Sequence, residues 1–121
     1  ETVTIKEMSK EQLIFFNPDS VQNQLLKMRF EMDGYKPNVV MRSSQIYTTL
    51  QFVKTGKYGC FLYSSMTDKF SSSNITGIPL NPPVRIKIGM VWKKSKYISG
   101  DMLTFLHFTR MYYKEHPLIE K

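Results

Sequence analysis

Three short polar runs carry the residue types that can do chemistry: Asn17-Pro18-Asp19-Ser20, Ser43-Ser44 and Tyr63-Ser64-Ser65. Each follows a short apolar segment, so each stands where a strand would end. Hydroxyls, an amide and the free N–H groups of a following helix can hold a small carboxylate or similarly polar metabolite, because a helix start is partly positive. The same atoms can equally serve as plain helix caps. Asn17, Pro18, Ser20, Ser43, Ser44, Tyr63 and Ser64 are therefore the candidate ligand-binding residues. Asp19 argues against a strongly anionic ligand touching that residue. Arg42 precedes the second run and either pairs with an acidic ligand or stays solvated.

Catalysis is not expected. No Gly-x-Ser-x-Gly elbow is present, and neither His107 nor His116 has a partner nearby in sequence. Asp19 is the only acidic residue at any of the three runs, and one carboxylate is thin provision for general base work. Cys60 lies in the apolar run Cys60-Phe61-Leu62 and reads as a buried thiol. The eight methionines are scattered as core fillers, not gathered as a metal box. No cofactor and no metal are expected, and the chain reads as a binding module.

The elements that must position these runs follow from periodicity. Gln12 to Phe16 is a compact apolar strand. Val21, Leu25, Met28 and Met32 fall on one helical face; Gly34 ends that helix and Pro37 blocks its resumption. Asn38 to Arg42 is a second strand. Gln45 opens a second helix, with Ile46, Leu50 and Val53 on one face. Gly56 ends it in a left-handed conformation, Gly59 keeps the turn tight, and Cys60 to Leu62 is a third strand. Strand, helix, strand, helix, strand makes a right-handed βαβαβ unit with a parallel sheet. All three polar runs then lie along its carboxyl edge, where open α/β sheets bind ligands.

Val3-Thr4-Ile5 is a short strand or a lead-in. Asp68 to Asn74 reads as a polar loop containing Ser71-Ser72-Ser73. Ile75 to Pro79 is extended, and Asn81-Pro82-Pro83 is a turn. Val84 to Trp92 alternates and predicts a long strand with one buried face. Ser99 caps a last helix, with Met102, Phe105 or Leu106, Thr109 and Tyr113 at helical spacing, and His116-Pro117 ends it.

Lys plus Arg is 17 against 10 for Asp plus Glu, a net charge of +7. The basic residues are scattered except at Lys93-Lys94-Ser95-Lys96, and no basic stripe with interleaved aromatics reads as a DNA surface. One cysteine excludes an internal disulfide framework. No apolar run approaches the roughly 20 residues of a membrane span, and no signal segment opens the chain. The expected location is cytoplasmic.

This order of elements resembles the distal part of the effector-binding region of LysR-type transcriptional regulators. Four stretches carry the likeness: Gln12 to Ser20; Gln51 to Leu62, with Gly56-Lys-Tyr-Gly59; Ile75 to Leu80; and Ile88-Gly-Met-Val-Trp-Lys-Lys94, followed by Tyr97-Ile-Ser99 and a helix. Together they span about Val3 to Tyr113. Two features depart from the pattern. Leu62-Tyr63-Ser64 stands where the family often has Leu-Pro, and the two glycines are one residue further apart. The resemblance implies an α/β fold like the type II periplasmic binding proteins: a three-layer lobe with a mainly parallel sheet plus an antiparallel crossover strand. It implies one domain over 1–121, comprising a second lobe (about 3–83) and a return strand with C-terminal helix (about 84–116). It also implies a small-molecule effector, homodimer packing, and DNA contact only through an N-terminal helix-turn-helix outside this sequence. A solute-binding lobe of a transport system and a small α/β enzyme are the alternatives. Met90, Trp92, Met102, Phe105, Leu106, Phe108 and Tyr112 lack their partner lobe in this reading, so self-association is expected.

Overall fold

The computed structural model describes residues 1–72 and 74–117; Ser73 of the serine loop lies outside them. The chain divides into two compact units, Glu1–Ile86 and Lys87–Lys121. The first contains α1 (Ile5–Met8), β1 (Leu13–Phe15), α2 (Val21–Met32), β2 (Val39–Arg42), α3 (Ile46–Val53), β3 (Gly59–Cys60) and α4 (Ser64–Phe70). The second contains α5 (Gly100–Glu115).

The three strands pair in parallel in the order β2-β1-β3, so β1 is central. Its residues Leu13, Ile14 and Phe15 are all buried, as a strand covered on both faces must be. Right-handed crossovers that leave β1 in one direction and return in the other place α2 and α3 on opposite faces. Leu13 and Phe15 join Ile5, Leu26 and Phe30 in the main core, with Met8, Tyr35, Val39, Phe61, Leu80 and Val84 packed around it. Phe15, Phe30 and Phe61 meet at ring-centroid distances of 6.0–6.3 Å in tilted and edge-on geometry. Ile14 projects to the other face; Thr49 and Leu50 of α3 are also buried and stand outside the main core. Gly34 and Gly56, the residues expected to close α2 and α3, have φ of 77° and 75°.

Four expectations are corrected. The buried side of α2 is Asn23, Leu26 and Phe30, not the Val21–Leu25–Met28–Met32 face; Met32 is 80 % exposed. Leu26 and Phe30, one turn apart, bury more apolar area than Val21 and two flexible methionines. Thr4 and Glu7 form a capping box: the Thr4 N–H donates to Glu7 Oε2 at 2.7 Å and Glu7 N–H to Thr4 Oγ1 at 3.3 Å. That box turns the expected extended lead-in into α1. Asp68 to Phe70 belong to α4 and not to a loop. Val84 to Trp92 pair with no strand among the described residues, so the antiparallel crossover strand is absent there. Alternation alone makes no strand: a ladder partner and an apolar surface must accept it, and here Val91 is 95 % exposed.

A clasp closes the first unit. Val3 N–H donates to the Pro79 carbonyl at 2.9 Å, and Asn81 N–H to the Val3 carbonyl at 2.8 Å. No helix among the described residues is long and apolar enough to cross a membrane. In the second unit, Ser99 caps α5 by accepting from Met102 N–H at 3.3 Å, and Leu106 is its one buried residue.

Candidate ligand-binding site

The carboxyl edge of the sheet is built by three junctions. In the first, Asn17 Oδ1 accepts from Asp19 N–H at 3.3 Å and Asn17 O from Ser20 N–H at 3.0 Å, which folds the chain back toward α2. Ser20 Oγ then accepts from Asn23 N–H at 3.2 Å and caps α2. Burial of Asn23 is offset by bonds at both ends of its amide: Nδ2 donates to the Pro18 carbonyl at 3.2 Å, and Oδ1 accepts from Arg42 at 3.3 Å. The same Arg42 nitrogen reaches the Phe16 carbonyl at 3.4 Å, and the guanidinium lies over the Phe15 ring at 5.9 Å. Arg42 is thus engaged in holding β2 to the first junction.

In the second junction, Ser43 N–H donates to the Phe15 carbonyl at 3.0 Å, and Ser43 Oγ accepts from Gln45 N–H at 3.1 Å. The Ser43 hydroxyl therefore shapes the turn into α3, and Ser44 stands exposed beside it. In the third, Tyr63 occupies the N-cap of α4 without a side-chain cap bond, and Ser64 is exposed at its first residue. The first and third junctions are joined laterally: Gln22 Nε2 donates to the Phe61 carbonyl at 2.6 Å.

These junctions surround one open cleft of about 280 Å³. Of the seven candidate residues, Asn17, Ser20, Ser44 and Tyr63 line it, at least one from each junction; Pro18, Ser43 and Ser64 do not. The parallel sheet brings them together, since every strand's carboxyl end points the same way. Sequence reasoning missed Phe16, Gln22, Ile46, Leu62 and Met66, which line the rest. Each flanks a polar run by one or two positions, and that adjacency was the available signal. Among the described residues, no Lys, Arg, His, Asp or Glu lines the cleft. Its described groups can donate and accept hydrogen bonds and cover apolar surface. Cys60, the last residue of β3, is a half-buried thiol pushed up to about 11 by desolvation and so is a poor nucleophile.

A family model for the LysR substrate binding domain matches residues 1–114. No curated protein and no solved structure matches the chain.

Proposed function

The chain belongs to the LysR substrate binding domain family, and from that membership we propose that it is the effector-sensing module of a LysR-type transcriptional regulator. The fold is the periplasmic-binding-protein-like α/β fold of that family. The observation that carries the proposal is the convergence of three strand-to-helix junctions on one cleft whose described lining residues carry no charge. Membership of a family of regulator domains supports a site that binds and releases a small molecule without transforming it. In this reading residues 3–83 form the second lobe of the sensor, and 84–116 supply its return segment and last helix. The effector occupies the cleft between this lobe and a first lobe, and it biases their arrangement through its differential affinity for the two states. DNA is contacted by a helix-turn-helix outside this sequence, in a cytoplasmic homodimer. Asn17, Ser20, Ser44 and Tyr63 make direct contacts with the effector; Pro18, Ser43 and Ser64 shape the turns around it.

A thermal-shift screen of the chain against a panel of small carboxylates and amides tests the site. A binding compound raises the melting temperature. Ser44→Ala weakens that compound by about fivefold, the equivalent of about 1 kcal/mol for one hydrogen bond. Ser44 is the informative position because its hydroxyl caps nothing, whereas Ser20 also holds α2. A binding compound whose affinity is unchanged in both Ser44→Ala and Tyr63→Phe would remove the cleft from the proposal.

A further inference from the structure

The cleft has two halves of different chemistry. Phe16, Ile46, Leu62 and Met66 supply an apolar wall; Asn17, Ser20, Gln22, Ser44 and Tyr63 supply polar groups. The local hydrogen bonds decide what those groups still offer. Ser20 Oγ already accepts from Asn23 N–H, so it meets a ligand as a donor. Asn17 Oδ1 accepts from Asp19 N–H, which leaves its Nδ2 to donate. Gln22 Nε2 is used on the Phe61 carbonyl, which leaves Oε1 to accept.

Positive charge is kept elsewhere. Arg42, the cation closest in sequence to a strand end, has one guanidinium nitrogen on the Phe16 carbonyl and the Asn23 amide oxygen. Lys10, Lys36, Lys54 and Lys57 stand on the segments leading into β1, β2 and β3. In a parallel sheet those segments lie at the amino edge, opposite the cleft.

We infer that the cleft takes a small molecule with an apolar body and a single polar head of no more than one negative charge, and that it disfavours dicarboxylates and phosphates. The inference rests on the reading of this cleft as the effector site. One anionic head can be met by hydroxyl donors and the first N–H groups of α2. A second charge would be desolvated with no cation among the described lining residues of this chain to receive it, which raises its free energy. The Phe16–Ile46–Leu62–Met66 wall rewards an apolar body in proportion to the surface it covers.

The test is an NMR titration of the chain labelled at Ile, Leu and Met methyls, with the methyls of Ile46, Leu62 and Met66 as local reporters. The probes are phenylacetate, phenylacetamide, succinate and inorganic phosphate. Phenylacetate and phenylacetamide are expected to move these methyls with Kd values within tenfold of each other, and succinate and phosphate to bind at least tenfold more weakly. Succinate or phosphate binding at the same methyls as tightly as phenylacetate would overturn the ligand class and leave the cleft as the site. If none of the four moves these methyls, the cleft assignment falls and the inference with it. Ser44→Lys adds one cation at an exposed rim position. It should tighten succinate at least tenfold, and an unchanged succinate affinity would show that missing charge is not what excludes dianions.

Discussion

Phe30 and Phe108 are the same residue type on long helices of the two units. Phe30, on α2, is fully buried between Phe15 and Phe61. Phe108, on α5, is 64 % exposed and stacks only along its own helix on Tyr112. The contrast is general. Residues 1–86 bury Ile5, Leu13, Ile14, Phe15, Leu26, Phe30 and Leu50, whereas α5 buries Leu106 and exposes Met102, Leu103, Phe105, Phe108, Met111, Tyr112 and Tyr113. An apolar helix face acquires a burial side only from what covers it, and a displayed one marks a surface for a partner.

The sharpest way to break this comparison is to truncate both rings. Phe30→Ala should cost about 3–5 kcal/mol through lost contacts and the cavity left behind, and Phe108→Ala no more than about 0.5 kcal/mol. Denaturant unfolding of both variants reads the difference, and equal costs would erase it. The displayed surface gives the next effect. If the homodimer proposed for this chain uses α5, replacing Phe105 and Phe108 with serine should weaken self-association by at least about tenfold, or 1.4 kcal/mol. Sedimentation across a concentration series measures it; an unchanged association constant would place the interface elsewhere.

The third effect is local to the first unit. Thr4→Ala removes the N-cap of α1 and should cost about 1 kcal/mol. The Thr4 hydroxyl and then its backbone N–H hold the Glu7 carboxyl below its ordinary value. A depressed carboxyl stabilises above its unfolded pKa, and that contribution is lost as pH falls through the folded value. The gap between wild type and Thr4→Ala should therefore narrow in acid without closing, because the Glu7 N–H to Thr4 Oγ1 bond does not titrate; urea midpoints at successive pH values would report it. The smallest effect concerns Cys60. Burial moves its thiol from 9.0 to about 11, so stability is unaffected at neutral pH and declines only as pH rises between those values. At pH 8 the folded chain should be alkylated by iodoacetamide about a hundredfold more slowly than the urea-unfolded chain. Equal rates would mean that the third strand does not shield the thiol.

What the sequence made legible was the backbone logic. Short apolar runs ending in polar residues marked β1, β2 and β3, and glycines needing a left-handed conformation marked the ends of α2 and α3. What it hid were choices made by tertiary partners. Thr4-Ile-Lys-Glu7 was readable as a capping box, yet the alternation of Val3 and Ile5 masked it. The buried side of α2 was misread because Val21, Leu25, Met28 and Met32 form a regular stripe, while Asn23 is drawn inward by Pro18 and Arg42. The alternation over Val84 to Trp92 promised a strand that finds no ladder. For the cleft, strand-end position pointed to Asn17, Ser20, Ser44 and Tyr63. Its apolar half was invisible because Phe16, Ile46, Leu62 and Met66 meet only after the sheet has assembled.

The clasp between Val3 and residues 79–81 sets a timetable for synthesis. Within this unit Val3 and α1 are translated well before their partners at residues 79–81, which leave the ribosome only when the unit is nearly complete. Strands β1, β2 and β3 are translated in the interval and can pair before that loop closes, because shorter separations close at lower entropy. Ile5, fully buried in the finished core, must therefore wait beside a partly built sheet. The earliest-translated residues of this unit are among its last to lock, and the clasp joins Val3 to residues 79–81.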